Sequence, residues 1–303
     1  MEEKKKLINQ RTKISVVIPT FNSEKTLGRL LDSIKRQTYT NIEIVIIDGV
    51  SSDNTQFVVD QYKDVVSSYI SEPDEGIYDA INKGIKHSSG DLIVIAGSDD
   101  YFCNDTVFEK ISSSYNNEKF DMYAGRTIFK NKDGSDSYRE DASYGIESLV
   151  DGIPVGHNAM FVQRNTYIDV GLYDTSYNIC GDAQWVHRAI KKGKNLHYLD
   201  IDVINFSMSG TSSNNDIAIM EETYRVIREN FPILSREDAA CIFKCYRGWQ
   251  PRQLVIPLLK KYKNHMELTN TLSKAFPEYS ESFRFGWRQR LKHALFKIIN
   301  KLR

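Results

Sequence analysis

The 303-residue chain carries 40 Lys plus Arg against 40 Asp plus Glu and is 41% hydrophobic, a balance that argues against a nucleic-acid partner and is ample for a packed core. No run of about 18 apolar residues is present to span a bilayer, and the Lys-rich N-terminus lacks the apolar centre of a signal peptide. Four cysteines, Cys103, Cys180, Cys241 and Cys245, show no metal-type or framework spacing and read as reduced thiols of a cytoplasmic protein.

Taken in order, residues 1–12 are charged and carry no periodicity. Ile14 to Ile18 predicts a short buried strand ending at Pro19, and Thr20-Phe-Asn-Ser23 supplies turn and cap residues for a helix with Leu27, Leu30, Leu31 and Ile34 at helical spacing. Ile42 to Ile47 predicts a second buried strand, closed by the Gly-bearing loop Asp48-Gly-Val-Ser-Ser-Asp53 and a helix with Phe57, Val58, Gln61 and Tyr62. Val65 to Ser71 is a third strand, and a helix from Ile77 to Lys86 sets Ile77, Ile81 and Ile85 on one face. Leu92 to Ala96 is uniformly apolar, as in a strand covered on both sides, and stops at Gly97-Ser-Asp-Asp100. Strands alternating with short helices imply right-handed crossovers and a mostly parallel sheet. Such a sheet delivers Asp99 and Asp100 to the crevice where ligands bind, although a helix cap or solvated turn explains an Asp pair equally well. No Gly-x-Gly-x-x-Gly follows the first strand and no Gly-Lys-Ser/Thr loop occurs, which excludes the common dinucleotide and P-loop signatures.

Beyond Thr106 a helix to about Tyr115 precedes a strand from Met122 to Phe129 and the Asn131-Lys-Asp-Gly134 turn of a hairpin. His157 to Val162 predicts an inner strand. Gly181-Asp182 opens a helix carrying Trp185, Val186, Ala189 and Ile190, and Gly193 closes it. His197 to Phe206 is a last strand, followed by a Ser-, Thr-, Asn- and Gly-rich loop from Ser207 to Asn215. From Asp216 onward the pattern is helical, so the expected organisation is an α/β domain over residues 1–215 and a helical extension over 216–303. Residues 283–303 hold seven Lys or Arg and no acid around a Trp287, Leu291, Leu295, Ile298, Leu302 stripe, which leaves the rest of the chain with 33 basic against 40 acidic side chains. A basic amphipathic helix of this kind suits a membrane surface; packing on the body or on a second subunit is the rival reading.

With these residues laid out, the chain resembles the family 2 glycosyltransferases of the GT-A fold, over about residues 13–213. The resemblance rests on Val17-Ile-Pro-Thr-Phe-Asn22, Ile47-Asp-Gly-Val-Ser-Ser-Asp53, Glu72-Pro-Asp-Glu-Gly-Ile-Tyr-Asp-Ala-Ile-Asn-Lys-Gly84, Gly90-Asp91, Ser98-Asp-Asp100, Gly171-Leu-Tyr-Asp174 and Gly181-Asp182 in that order. It implies a Rossmann-like central sheet flanked by helices and an inverting, metal-dependent transfer of a hexose or N-acetylhexosamine from a UDP-sugar. It also implies Mn²⁺ or Mg²⁺ at Asp99 with Asp100 beside it, and a nucleotide pocket from Pro19, Thr20, Asp48, Asp74, Asp79 and Ser98. The general base falls on Asp182, while His157, Trp185, Ser209 and Gly210 fall on the acceptor side. The family's Asp-x-Asp signature has Gly97 in its first place here, which removes a usual ribose contact. Bland alternatives stand beside several of these: Asp48 and Asp74 as turn formers, Asp182 as a helix cap, His157 and Trp185 as interior residues. A lipid-diphosphate-linked saccharide is the acceptor the resemblance implies, with the protein peripheral at the inner face of the cell membrane and possibilities of homo-oligomer formation left open. The non-enzymatic alternative is a nucleotide-sugar-binding component of a polysaccharide assembly complex.

Overall fold

The computed structural model describes residues 12–116, 118–131, 133–140, 143–152, 155–207 and 216–279, and these form two compact units. The first is Met1–Ser143 with Ile153–Ile219, the second Tyr144–Gly152 with Met220–Arg303. The segment Tyr144–Gly152 is therefore grouped with the C-terminal helices, an excursion that no change in composition announces.

The first unit is built on one nine-stranded sheet in the order β3-β2-β1-β4-β8-β6-β9-β5, with β7 paired to β6. The strands are β1 (Ile14–Thr20), β2 (Ile42–Asp48), β3 (Ser68–Ser71), β4 (Leu92–Ile95), β5 (Tyr101–Phe102), β6 (Met122–Lys130), β7 (Asp136–Glu140), β8 (Met160–Gln163) and β9 (Leu196–Ser207). β1 to β4 are mutually parallel, and β6 and β9 return to that direction on either side of antiparallel pairings with β8 and β5. The sheet is thus mostly parallel, as the alternation of strands and helices implies. Its central strands are mostly apolar because helices cover both faces: every residue of β1 and β4 is buried, Ser15 and Thr20 being the polar exceptions in β1. On one face α1 (Leu27–Lys35) and α4 (Val107–Ser114) lay Leu27, Leu30, Leu31, Ile34, Phe108 and Ile111 against Ile14, Val16, Ile18 and Val94. Each such side chain contributes about 1.5–3 kcal/mol when fully buried.

On the other face α3 (Ile77–His87) packs so closely that a Cβ on Gly84 would sit 2.2 Å from the Val17 side chain; only glycine fits there. The buried face of α3 holds Ile81 and Ile85, but Ile77 is exposed, contrary to the spacing argument, because the helix begins there. α2 (Thr55–Asp60) likewise buries Thr55 and Val59 and exposes Phe57. α5 (Arg164–Val170) and α6 (Gly181–Lys191) complete this unit.

The second unit contains most of α7 (Asp216–Asn230), then α8 (Arg236–Tyr246), α9 (Ile256–Lys261) and α10 (Met266–Ala275). Ser235 caps α8 by accepting the Asp238 N–H at 3.1 Å. Leu268, Leu272, Phe276, Ile242 and Phe231 are buried in it, and Arg247 Nε pairs with Asp151 at 2.7 Å.

Connections from β1 lead to β2 on one side, and from β3 back across to β4 on the other. The crevice of such a sheet opens off the carboxyl ends of β1 and β4.

Candidate active site

The loops after β1, β2 and β3 are sewn together by backbone and hydroxyl groups. Gly49 N–H donates to the Thr20 carbonyl at 2.9 Å and Glu72 N–H to the Asp48 carbonyl at 2.9 Å. Asn22 N–H donates to Ser51 Oγ at 2.8 Å, and its Oδ1 accepts Ser52 N–H at 2.9 Å. Asp48 is buried, its carboxylate accepting from Ser51 N–H at 2.9 Å, the Ser51 hydroxyl, and Ser71 Oγ at 2.8 Å. Of about four acceptor positions on a carboxylate, three are taken by its own loops. Pro19 and Thr20, expected at the nucleotide, are buried strand residues. The next residue is the exposed one: Phe21 has 64% of its surface open and its ring edge lies against Gly49. Val50 is 52% exposed and adopts φ +62°, an outlier for a β-branched residue. Neither Phe21 nor Val50 was singled out by type or spacing. Asp74 accepts the Gly76 N–H at 3.0 Å and lies over Gly49. Asp79 is at the start of α3, in an ion pair with Lys83 at 3.1 Å.

The acidic turn after β4 joins this group through Ser98, whose hydroxyl meets the Ser23 hydroxyl at 2.7 Å. Arg29 donates to the Asp99 carbonyl at 2.5 Å while lying over the Tyr101 ring at 4.4 Å. The two neighbouring carboxylates then part company. Asp99 stays partly exposed. Asp100 is 1% exposed and accepts from Asn158 Nδ2 at 3.1 Å and from the N–H groups of Gly97 and Ser207, each at 3.2 Å. Burial, and then the Asp99 charge, push the Asp100 carboxyl up to about 7. Asp100, read from the sequence as a second metal ligand, is therefore corrected to an internal anchor tying β4, the 157–159 turn and the end of β9.

Asn158 leads to His157, whose Nδ1 lies 2.8 Å from Asp182 Oδ2. Asp182 is not the cap of α6, which is Cys180, but sits in its first turn, where its Oδ1 accepts the Ala183 N–H at 2.8 Å while Oδ2 faces His157. Tyr78 reaches the same place from α3: its hydroxyl bonds the Ile179 carbonyl, lies 3.3 Å from Asp182 Oδ1 and accepts the Asp182 N–H at 3.2 Å. Burial would raise the Asp182 carboxyl, but the His157 ring and these donors carry it below its ordinary value. Burial would likewise lower His157, and Asp182 together with Asp100 carries it above the ordinary imidazole value.

Trp185 is a correction. It is fully buried between Tyr167 and Tyr173, and its indole N–H donates to the Gly171 carbonyl at 2.7 Å; it supports α6 from within and does not face an acceptor. Ser209, Gly210 and the basic 283–303 stripe lie outside the described residues.

Four hydrogen bonds thus tie neighbouring loops together: Gly49 N–H to the Thr20 carbonyl, the Ser23 hydroxyl with that of Ser98, Asn158 Nδ2 to Asp100, and His157 Nδ1 with Asp182. Among the described residues no three His, Cys, Asp or Glu side chains form a metal cage, and no helix is long and apolar enough to cross a membrane. A separate surface groove lined by Thr106, Glu109, Lys110, Leu199 and Asp200 contains none of these groups.

A family model described as "Glycosyl transferase family 2" matches residues 15–203. The "PGL/p-HBAD biosynthesis glycosyltransferase" of Mycobacterium bovis (strain BCG / Pasteur 1173P2) is 26% identical over 205 residues, covering 66% of this chain and 78% of its own. The "UDP-Glc:alpha-D-GlcNAc-diphosphoundecaprenol beta-1,3-glucosyltransferase WfgD" of Escherichia coli is 32% identical over 119 residues, 39% of this chain and 47% of its own. Among solved structures, S. aureus TarS 1-349 in complex with UDP-GlcNAc superposes with a TM-score of 0.61 at 17% identity, over 89% of this chain and 83% of that one. That likeness is one of fold.

Proposed function

Because the chain belongs to glycosyl transferase family 2, we propose that it transfers a hexose or N-acetylhexosamine from a UDP-sugar, with inversion, to a saccharide carried on a lipid diphosphate. The observation that carries this reading is that the loop after β1 meets the acidic turn after β4 through the Ser23 and Ser98 hydroxyls, while Asp100 of that turn holds Asn158, the neighbour of the His157 that pairs with Asp182. A UDP donor is favoured by the names of WfgD and of the TarS complex, and a lipid diphosphate acceptor by that of WfgD.

Phe21 offers an exposed ring to the base, and the 48–51 loop lies beneath it. Asp99 fits a divalent cation, Mn²⁺ or Mg²⁺, since such ions sit on one or two carboxylates and take their other oxygens from phosphates. When bound, the cation neutralises charge on the departing diphosphate. The Asp182–His157 pair supplies the base for the acceptor hydroxyl. The basic 283–303 segment is proposed to hold the protein on anionic membrane; a chain ended near Ser282 that floats with liposomes as well as the full chain would rule this out.

Calorimetric titration of UDP-glucose and UDP-N-acetylglucosamine, with and without Mn²⁺, tests the donor reading. Binding strengthened by Mn²⁺ and weakened at least tenfold by Asp99→Asn is expected. Binding indifferent to both would refute the metal-assisted site.

A further inference from the structure

Trp185 is interior, and the aromatic surface that the fold opens beside the site belongs to other rings. Tyr138 of β7 is the register partner of Phe129 in β6, and Phe129 is in turn level with Phe206 of β9. Residues level with each other on paired strands project to the same face, so the three rings form one row. Tyr138 stacks on Phe129 at 4.1 Å with 10° between the planes, and Phe129 meets Phe206 at 5.1 Å. Tyr138 keeps 49% of its surface open, on a strand that lies off the main order of the sheet.

Two contacts set this row beside the candidate active site. Phe206 is followed by Ser207, whose N–H donates to Asp100 of the acidic turn at 3.2 Å. Thr127, two residues before Phe129 and so on the same face of β6, lies against Gly156, where an added Cβ would sit 2.7 Å from Thr127 Oγ1. Gly156 precedes His157, which pairs with Asp182. Two residues of strand span about 7 Å and one strand spacing about 5 Å, so Tyr138 stands roughly 9 Å out from the 156–157 turn. That distance passes over a sugar at the reacting centre and reaches its neighbour. We propose that the Tyr138–Phe129–Phe206 row is a subsite for the acceptor saccharide, taking the sugar next to the one that receives the transferred residue, with the Tyr138 ring as its main contact. The subsite rests on the transferase reading and deepens it, since it calls for an acceptor of at least two sugars.

A pyranose presents a face of C–H groups with slight positive charge, and the face of an aromatic ring is negative. Stacking the two removes apolar surface from water while the sugar's hydroxyls stay hydrated at the rim. Phe129 backs the Tyr138 ring and fixes its direction, so little rotamer freedom is lost on binding. A cross-strand ring pair also steadies a hairpin, and the variants below separate that role from binding.

The test uses the full chain with Mn²⁺, labelled UDP-glucose, UDP-galactose and their N-acetylamino forms as donors, and lipid-linked saccharides extracted from membranes of the cell that makes the protein. Label entering the lipid fraction reports transfer. Tyr138→Ala and Tyr138→Leu should each raise the acceptor concentration for half-maximal transfer about five- to tenfold, with donor KM and UDP affinity within about twofold. Leucine keeps apolar cover on Phe129, so a loss shared by both variants belongs to the ring and not to packing. Tyr138→Trp, with a larger ring at the same place, should return the acceptor KM to the wild-type value or below it. Wild-type transfer matched by the alanine and leucine variants would overturn the subsite alone, as would a donor KM that rises in step with the acceptor's. Wild-type protein that moves no label from any of these donors into lipid would overturn the transferase reading and the subsite with it.

Discussion

Gly181→Ala probes how the fold holds Asp182 in place. A Cβ on Gly181 would lie 2.8, 2.9 and 3.0 Å from three Tyr78 ring atoms, where ordinary contact begins at 3.4 Å. Ring or helix must therefore move by about 0.6 Å. The ring cannot retreat easily, because Tyr78 is 3% exposed and stacked on Tyr173 at 5.7 Å, which is itself stacked on Trp185. Crowding a filled core in this way costs about 1–3 kcal/mol. The movement falls on the N-terminus of α6 and carries Asp182 with it. Since a misplacement of about 1 Å can cost 100-fold in rate, this shift should lower turnover about tenfold. Calorimetric unfolding gives the first number and UDP release the second, with UDP affinity as the control that β1 and β2 are untouched. A variant with wild-type Tm and turnover would refute the close packing of Tyr78 on α6 and its role in setting Asp182.

Trp185→Phe should lose about 1–3 kcal/mol, through the orphaned Gly171 carbonyl, and leave the KM for donor unchanged, as unfolding and steady-state kinetics would report. Val50→Asn should raise stability by about 1 kcal/mol, because Asn tolerates the left-handed region that Val50 occupies at φ +62°; a fall in Tm would contradict the strain. At the opposite end of the sheet, Glu43 accepts from Lys13 Nζ at 2.7 Å, Ser15 Oγ at 2.5 Å and Ser89 N–H at 2.6 Å. Burial opposes its charge, yet these donors lower it from 4.5 to about 2. A depressed carboxyl stabilises the fold fully above pH 4.5 and loses that contribution as pH falls towards 2. Glu43→Gln should cost about 2–3 kcal/mol at pH 7 and flatten the acid limb of unfolding in that window.

The buried strands were legible because parallel strands covered on both faces carry apolar runs without alternation, as in Val16–Ile18 and Leu92–Ile95. The short pieces were not. β5 is two residues long, and α5 starts directly after β8 with Gln163 in place of a Ser, Thr, Asp or Asn cap. The 157–159 stretch, expected as the start of a strand running to Val162, is a 3₁₀ turn that delivers His157 to Asp182. At the site, residue type marked Asp99, Asp100, His157 and Asp182 as the groups to watch, but not their directions. A one-residue step around the turn sends Asp99 outward and Asp100 inward. The His157–Asp182 pairing spans 25 residues and has no periodicity to betray it. Trp185 has the same helical spacing whether it faces a substrate or a core, and only the Tyr167 and Tyr173 rings decide which.

A crystal structure of the full chain with UDP-N-acetylglucosamine and Mn²⁺, with anomalous data at the manganese edge, addresses the central claim most directly. The uracil should lie beside Phe21 and the 48–51 loop, the anomalous peak within about 2.5 Å of an Asp99 oxygen, and the sugar between that ion and His157. A nucleotide in the groove lined by Thr106 and Leu199, or a manganese peak remote from Asp99, would contradict it.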